Sequence, residues 1–173
     1  GRLIPSFIGS PEHLALGEVR TIDATVLFSD IRGYTATAEQ LEPERTLELL
    51  DRFNTAVENV VDQHGGTIVK RPGDAMVAIF WRPGRGMRHA HCGLEAAQAI
   101  LRRLSCVEGT NGELPVRFNA GVGVNSGPVA IGLIGTRQVE PTAIGDAVNV
   151  AQRLEALTKN GDYQLLYSEA VRE

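Results

Sequence analysis

Cysteine is scarce in this chain, and positive charge is not in surplus. Cys92 and Cys106 are the two cysteines among 173 residues, and they lack CxxC spacing. Neither a disulfide framework nor a zinc site is encoded, and both read as reduced residues in or near a helix. Lys and Arg number 17 against 21 Asp and Glu, a formal net charge of -4. That balance leaves no basic footprint and excludes a dedicated nucleic-acid binder. No run of ~18 apolar residues is present to span a membrane. No basic start followed by an apolar stretch marks a signal peptide. The expectation is a cytoplasmic domain, alone or as the cytosolic part of a larger receptor. No repeat or low-complexity tract occurs.

Familiar nucleotide and hydrolase signatures are absent too. Gly121, Gly123 and Gly127 fit neither GxxxxGK[ST] nor GxGxxG, so no P-loop or dinucleotide fingerprint exists. These glycines read instead as permitting close strand and backbone packing. No Ser-His-Asp order or Cys-His pair stands out. His89 and His91 are two apart, the wrong spacing for metal ligands on a helix, and read as an exposed helix end.

What is present is alternating strand and helix signals. The 43% hydrophobic content suits one soluble domain with a sizeable core. Residues 1–20 carry Pro5, Gly9, Pro11 and Gly17 without periodicity and read as a lead-in, leaving 21–173 as the domain. Ala24 to Phe28 forms a nearly continuous apolar strand. Pro43 to His64 is a helix, with Leu47, Leu50, Phe53, Val57, Val60 and Val61 at helical spacing and Gly65-Gly66 as its stop. Thr67–Lys70 and Ala75–Trp81 make a hairpin around Arg71-Pro72-Gly73-Asp74. Pro83, Gly84 and Gly86 break the chain again.

A second helix is predicted from about Met87 to Leu104, with Cys92, Ala96, Ala99 and Ile100 on one side. Strands follow over Pro115–Val124 and Pro128–Ile134, the latter leading into a projecting hairpin through Arg137 and Val139. Gly145-Asp146 opens a third helix with Val148, Leu154 and Leu157 toward the core. Tyr163–Tyr167 is a last strand, and Ser168 is placed to cap one more helical turn. The expected fold is α/β (α+β): a ferredoxin-like β-α-β-β-α-β core with a mixed, mostly antiparallel sheet and additional strands and a helix.

Two aspartates stand where strands give way to turns. Asp30 lies in Phe28-Ser29-Asp30-Ile31-Arg32-Gly33-Tyr34-Thr35, and Asp74 ends Lys70-Arg71-Pro72-Gly73-Asp74. Singly, each is an ordinary turn residue. Together, at adjacent strand ends and beside glycines, they form a seat for hard divalent cations, which prefer oxygen ligands and shared phosphates. Lys70 reads either as an edge-strand lysine or as a donor to a purine nitrogen or phosphate. Asn149 and Arg153 are four apart and share a helix face. They are either a solvated surface pair or a means of stabilising charge growing on a phosphoryl group.

These residues resemble the class III nucleotidyl cyclase catalytic domain, the fold of bacterial and mammalian adenylyl cyclases. The likeness runs from about Thr25 to Ser168. The stretch Phe28 to Thr35 resembles the family's first metal motif, with Tyr34 where Phe is usual. Gly73-Asp74 resembles the second, and Val148 to Leu154 the transition-state motif.

The resemblance implies that Asp30 and Asp74 hold two divalent cations, Mg²⁺ or Mn²⁺, with the Ile31 carbonyl assisting. It implies that Lys70 reads adenine, where guanylyl cyclases typically have Glu, and that Thr142 is its purine-reading partner. Asn149 would orient the ribose, and Arg153 would stabilise the α-phosphate. The implied reaction converts ATP to 3′,5′-cyclic AMP and pyrophosphate at composite sites of a homodimer, beneath a covalent upstream regulatory or sensor domain. Two departures are noted. Family members continue into strands bearing a triphosphate-gripping lysine, whereas this sequence stops at Glu173. Gly121 also lies near a strand where some members carry a phosphate-contacting Arg. The departures imply a trimmed chain, weaker triphosphate binding, or an inactive domain. A guanylyl cyclase and a catalytically silent nucleotide-binding or dimerisation module are the alternatives. The diguanylate cyclase GG[DE]EF-type turn is absent.

Overall fold

The computed structural model describes residues 18–81, 88–107, 116–134 and 140–172. In chain order the elements are β1 (Val19–Ile31), α1 (Tyr34–Ala38), α2 (Pro43–Gln63), β2 (Thr67–Lys70), β3 (Ala75–Phe80), α3 (His89–Leu104), β4 (Ala120–Ile134), β5 (Glu140–Ile144), α4 (Asp146–Leu157) and β6 (Leu165–Tyr167). Single 3₁₀ turns cover Thr158–Asn160 and Glu169–Val171. The β-α-β-β-α-β core is as expected, with β5, α4 and β6 added to it.

The strand order is β2-β3-β1-β4-β5, with β6 also on β4. All pairings are antiparallel except β4 with β6. Local chemistry explains the best-defined elements. Pro43 lies in the first turn of α2, where its missing N–H has no helical partner to lose. Gly65, at φ 71°, ends the helix in the left-handed region that other residues avoid. Gly73, at φ 63°, turns the β2–β3 hairpin in the same way.

The sheet has two different faces. On one, Leu27, Met76, Phe80, Val122 and Val124 meet Phe53 and Val57 of α2 and Ala96 and Ile100 of α3. Phe53 and Phe118 make an edge-to-face pair, with ring centroids 5.8 Å apart. On the other, Val26, Phe28, Val77, Ile79, Val129 and Ile131 cluster under Ala147 and Ala151 of α4. The sheet curls so far that Cα atoms of its two edge strands, β2 and β5, come within 8 Å of each other.

Several expectations need correction. The strands placed at Pro115–Val124 and Pro128–Ile134 are parts of one strand, β4. β6 leaves β4 after Val124 and β5 joins it at Ala130, so Pro128 occupies an edge-like stretch where a missing N–H is tolerated. The last strand is only Leu165–Tyr167, and Tyr163 is exposed. Ser168 stands at the N-cap position of the final turn as expected, but its hydroxyl donates to Asn125 Oδ1 at 2.6 Å instead of capping a backbone N–H. Val148 packs against the core as expected, but the buried face of α4 is Ala147, Ala151 and Glu155, and Leu157 is 54% exposed. The one-turn helix α1 had no periodic signal. Residues 1–17, the 82–87 break with Met87, Pro115, and the Arg137–Val139 hairpin lie outside the described residues.

Candidate active site

Strand register builds the first half of the site. Asp30 is the penultimate residue of β1 and pairs with Ala75, the first residue of β3. Asp74, one residue earlier, therefore stands beside Asp30 at the rim of the sheet. A cleft of about 530 Å³ opens there, lined by residues 30–36, Asp74 and Lys159. The Asp30 side chain is only 15% exposed. Its Oδ2 accepts a 2.6 Å hydrogen bond from Lys159 Nζ, and its buried Oδ1 has no donor. Ile31 also lines the cleft, although its side chain belongs to the core on the α2/α3 face.

Charge is crowded here. Burial, and then the Asp30 charge beside it, push the Asp74 carboxyl above its ordinary value. Glu155 is buried behind the cleft, and its Oε1 lies 3.7 Å from Lys159 Nζ without a hydrogen bond. Burial raises its carboxyl as well, against the opposing pull of Lys159. The hydrogen bond to Asp30 raises the Lys159 ammonium. Arg32 fastens the cleft to the end of α4: its Nη2 donates to the carbonyl oxygens of Thr158, at 2.7 Å, and Tyr163.

Two rim carboxylates, one with an orphaned buried oxygen and both in a surplus of negative charge, suit a divalent cation. Carboxylate, backbone carbonyl and phosphate oxygens are the donors that hard cations take.

The second half sits elsewhere on the surface. Helix α4 lies almost on the backbone of β4. A Cβ at Gly123 would fall 2.2 Å from the Ala151 carbonyl oxygen, and one at Gly121 2.3 Å from Thr158 Oγ1. The close-packing reading of these two glycines holds, and a phosphate-contacting side chain has no room at Gly121. Asn125 Nδ2 donates to the Ala147 carbonyl at 3.1 Å and ties down the first turn of α4. With Ala147, Ala151 and Glu155 inward, Asn149 and Arg153 are exposed. Lys70 is exposed at the end of β2, and Thr142 is half-buried on β5. Their side chains make no hydrogen bond or ion pair among the described residues. None of these four lines the cleft, so the chain by itself gathers Asp30, Ile31 and Asp74 but not Lys70, Thr142, Asn149 or Arg153.

Sequence reasoning missed Lys159, Glu155 and Arg32. The Lys159–Asp30 contact joins residues 129 apart, and no local pattern announces it. Of the two histidines at the start of α3, His91 matches the expected exposed helix end and His89 does not. His91 is exposed and faces Glu95 at 3.2 Å. His89 is half-buried, with Nδ1 2.8 Å from Thr25 Oγ1 and Nε2 3.3 Å from Asp23 Oδ2.

Comparison with known proteins bears on this geometry. The family model described as "Adenylate and Guanylate cyclase catalytic domain" matches residues 18–171. The chain belongs to that family. It is 36% identical over 168 residues to an adenylate cyclase of Anabaena cylindrica, a match covering 92% of this chain and 32% of that protein. The chain thus spans about a third of that relative's length. The adenylyl cyclase CyaB of P. aeruginosa superposes with a TM-score of 0.75 at 27% identity, over 89% of this chain and 80% of that one. The guanylyl cyclase Cya2 superposes with a TM-score of 0.60 at 30% identity, over 81% and 71%. Among the described residues, no helix is long and apolar enough to cross a membrane.

Proposed function

We infer that this domain is an adenylyl cyclase that forms 3′,5′-cyclic AMP and pyrophosphate from ATP at sites shared between two copies of the chain. The observation that carries the reading is the division of the candidate residues. The acidic cleft holds Asp30 and Asp74, while Lys70, Thr142, Asn149 and Arg153 lie outside it with side chains unengaged among the described residues. A second copy related by a twofold axis would bring the complementary half to each cleft, giving two equivalent sites. Ile144, Leu157 and Tyr163, exposed along the segment carrying α4, are apolar surface that such an interface would cover.

Asp30, Asp74 and the Ile31 carbonyl would hold two divalent cations, Mg²⁺ or Mn²⁺. Bound there, the cations supply a lowered pKa at the ribose 3′ hydroxyl and neutralise phosphate charge. Lys70 is suited to donate to a purine ring nitrogen, with Thr142 as a second contact that fixes the base. Asn149 would orient the ribose for in-line attack. Arg153, one turn further along the exposed face, would offer its planar fork to charge growing on the α-phosphoryl oxygens. No dedicated general base is assigned among these residues.

Complementation tests the shared site. Asp30→Ala and Arg153→Ala chains are each expected to be inactive alone, and mixing them should restore one intact site per heterodimer. An inactive mixture in which heterodimers demonstrably form would refute the shared site. The likeness to Cya2 gives a guanylyl cyclase reading some footing. Lys70 opposes it, because an ammonium has no acceptor for the ring donors of guanine. Turnover of GTP exceeding that of ATP, with Mn²⁺, would decide for the alternative. Relatives that extend well beyond the matched region favour a fused regulatory domain for this chain as well.

A further inference from the structure

We propose that Lys159 is a built-in counter-cation of the metal site, competing with the divalent cation for Asp30 and setting how readily it binds. The inference rests on the cation site proposed above. The Lys159 ammonium lies 2.6 Å from Asp30 Oδ2, inside the distance of a charge-assisted hydrogen bond and against the oxygens offered to a metal. A divalent cation drawing on both oxygens of Asp30 must displace it. Like charges at that separation repel strongly in a cleft where Asp30 is largely withdrawn from water.

The displaced ammonium has a second seat. Glu155, four residues back on the same helical path, is 3% exposed. Its Oε1 lies 3.7 Å from Lys159 Nζ and lacks a hydrogen-bond partner. A buried carboxylate oxygen without a donor is costly, and a short swing of the half-exposed lysine toward it would satisfy that oxygen. The lysine therefore has two acceptors and occupies the one nearer the cleft. With Lys159 already on Asp30, a lone cation must displace the amine before it gains the full negative charge of the site. A cation arriving with a triphosphate brings further oxygen ligands and can outcompete the amine.

Mn²⁺ binding to nucleotide-free protein, followed by paramagnetic resonance and calorimetry, tests this without reference to turnover. Lys159→Met keeps the length of the chain and removes the charge; it should bind Mn²⁺ about tenfold more tightly than wild type. Lys159→Arg should stay near wild type, and circular dichroism checks that each variant is folded. The gain should vanish in an Asp30→Asn background. Glu155→Gln should weaken Mn²⁺ binding in the wild-type chain and leave the Lys159→Met chain unchanged. Equal affinity of wild type and Lys159→Met, with Asp30→Asn weakening both, overturns the competition and leaves the cation site standing. An equal effect of Glu155→Gln in both backgrounds overturns the second seat. Mn²⁺ binding that ignores Asp30 in every variant overturns the cation site itself, and the competition with it.

Discussion

The two groups of candidate residues obey opposite physics. Around Asp30 and Asp74, charges are withdrawn from water, crowded and internally compensated by Lys159. Asn149 and Arg153 stand in solvent without partners among the described residues, on a helix whose other face is pressed to β4. The first group stores electrostatic tension that a cation can relieve. The second stores none, and its precision comes from the anchoring of α4. A buried group's removal should therefore alter the folded state itself, and an exposed group's removal should alter only what the folded state does.

Arg153→Ala is the strongest way to break this contrast. Turnover should fall about 10²–10³-fold, the scale of losing one donor to a developing oxyanion. The melting temperature should barely move, because the side chain is exposed and makes no bond among the described residues. A large fall in melting temperature would place Arg153 with the structural group.

Gly123→Ala comes next. Its Cβ would lie 2.2 Å from one α4 backbone atom and 2.3 Å from another, so the helix must move. A loss of about 1–3 kcal/mol in denaturant unfolding is expected, with turnover impaired through displacement of Asn149 and Arg153. An unchanged midpoint would mean that α4 is not held where the contrast requires.

His89→Ala is a control belonging to neither group. Losing the Thr25 hydrogen bond should cost about 1 kcal/mol and leave Mn²⁺ binding intact.

The smallest effect is the pH dependence of Glu155→Gln in metal-free protein. The folded chain raises the Glu155 carboxyl above its ordinary 4.5, so the fold binds its proton more tightly than the unfolded chain does. The stabilisation is complete below the unfolded value and disappears as pH rises through the folded one. The glutamine variant should therefore gain on wild type as pH climbs through that window and keep the gain above it. Denaturation midpoints from pH 4 upward, on the order of one unit apart, measure the difference.

Legibility in the sequence followed the locality of the causes. The β2–β3 hairpin was readable because Arg71-Pro72-Gly73-Asp74 carries its own turn chemistry, and α2 because Pro43 and Gly65 mark its ends. The pairing of Asp30 with Asp74 was readable because both stand at strand ends in recognisable motifs. β4 was divided in two because Gly127-Pro128 is normally a break. Only the staggered attachment of β5 and β6 makes proline acceptable there. Of the residues expected to face inward on α4, Val148 packs against the core and Leu157 does not, for a related reason. Large residues such as Leu157 suggest a core face, but a helix seated on glycines turns small residues inward. Lys159 and Glu155 carried no signal, since their roles depend on contacts far removed along the chain.

The clamp from Arg32 to the carbonyls of Thr158 and Tyr163 spans 126 and 131 residues. The clamp can exist only when β1 and the end of α4 are both in place on the sheet. The cleft at the rim of the sheet is therefore complete only when distant parts of the chain have come together. A nascent chain emerging from the ribosome would carry Asp30 and Asp74 early, yet have no finished pocket until Tyr163 had been made.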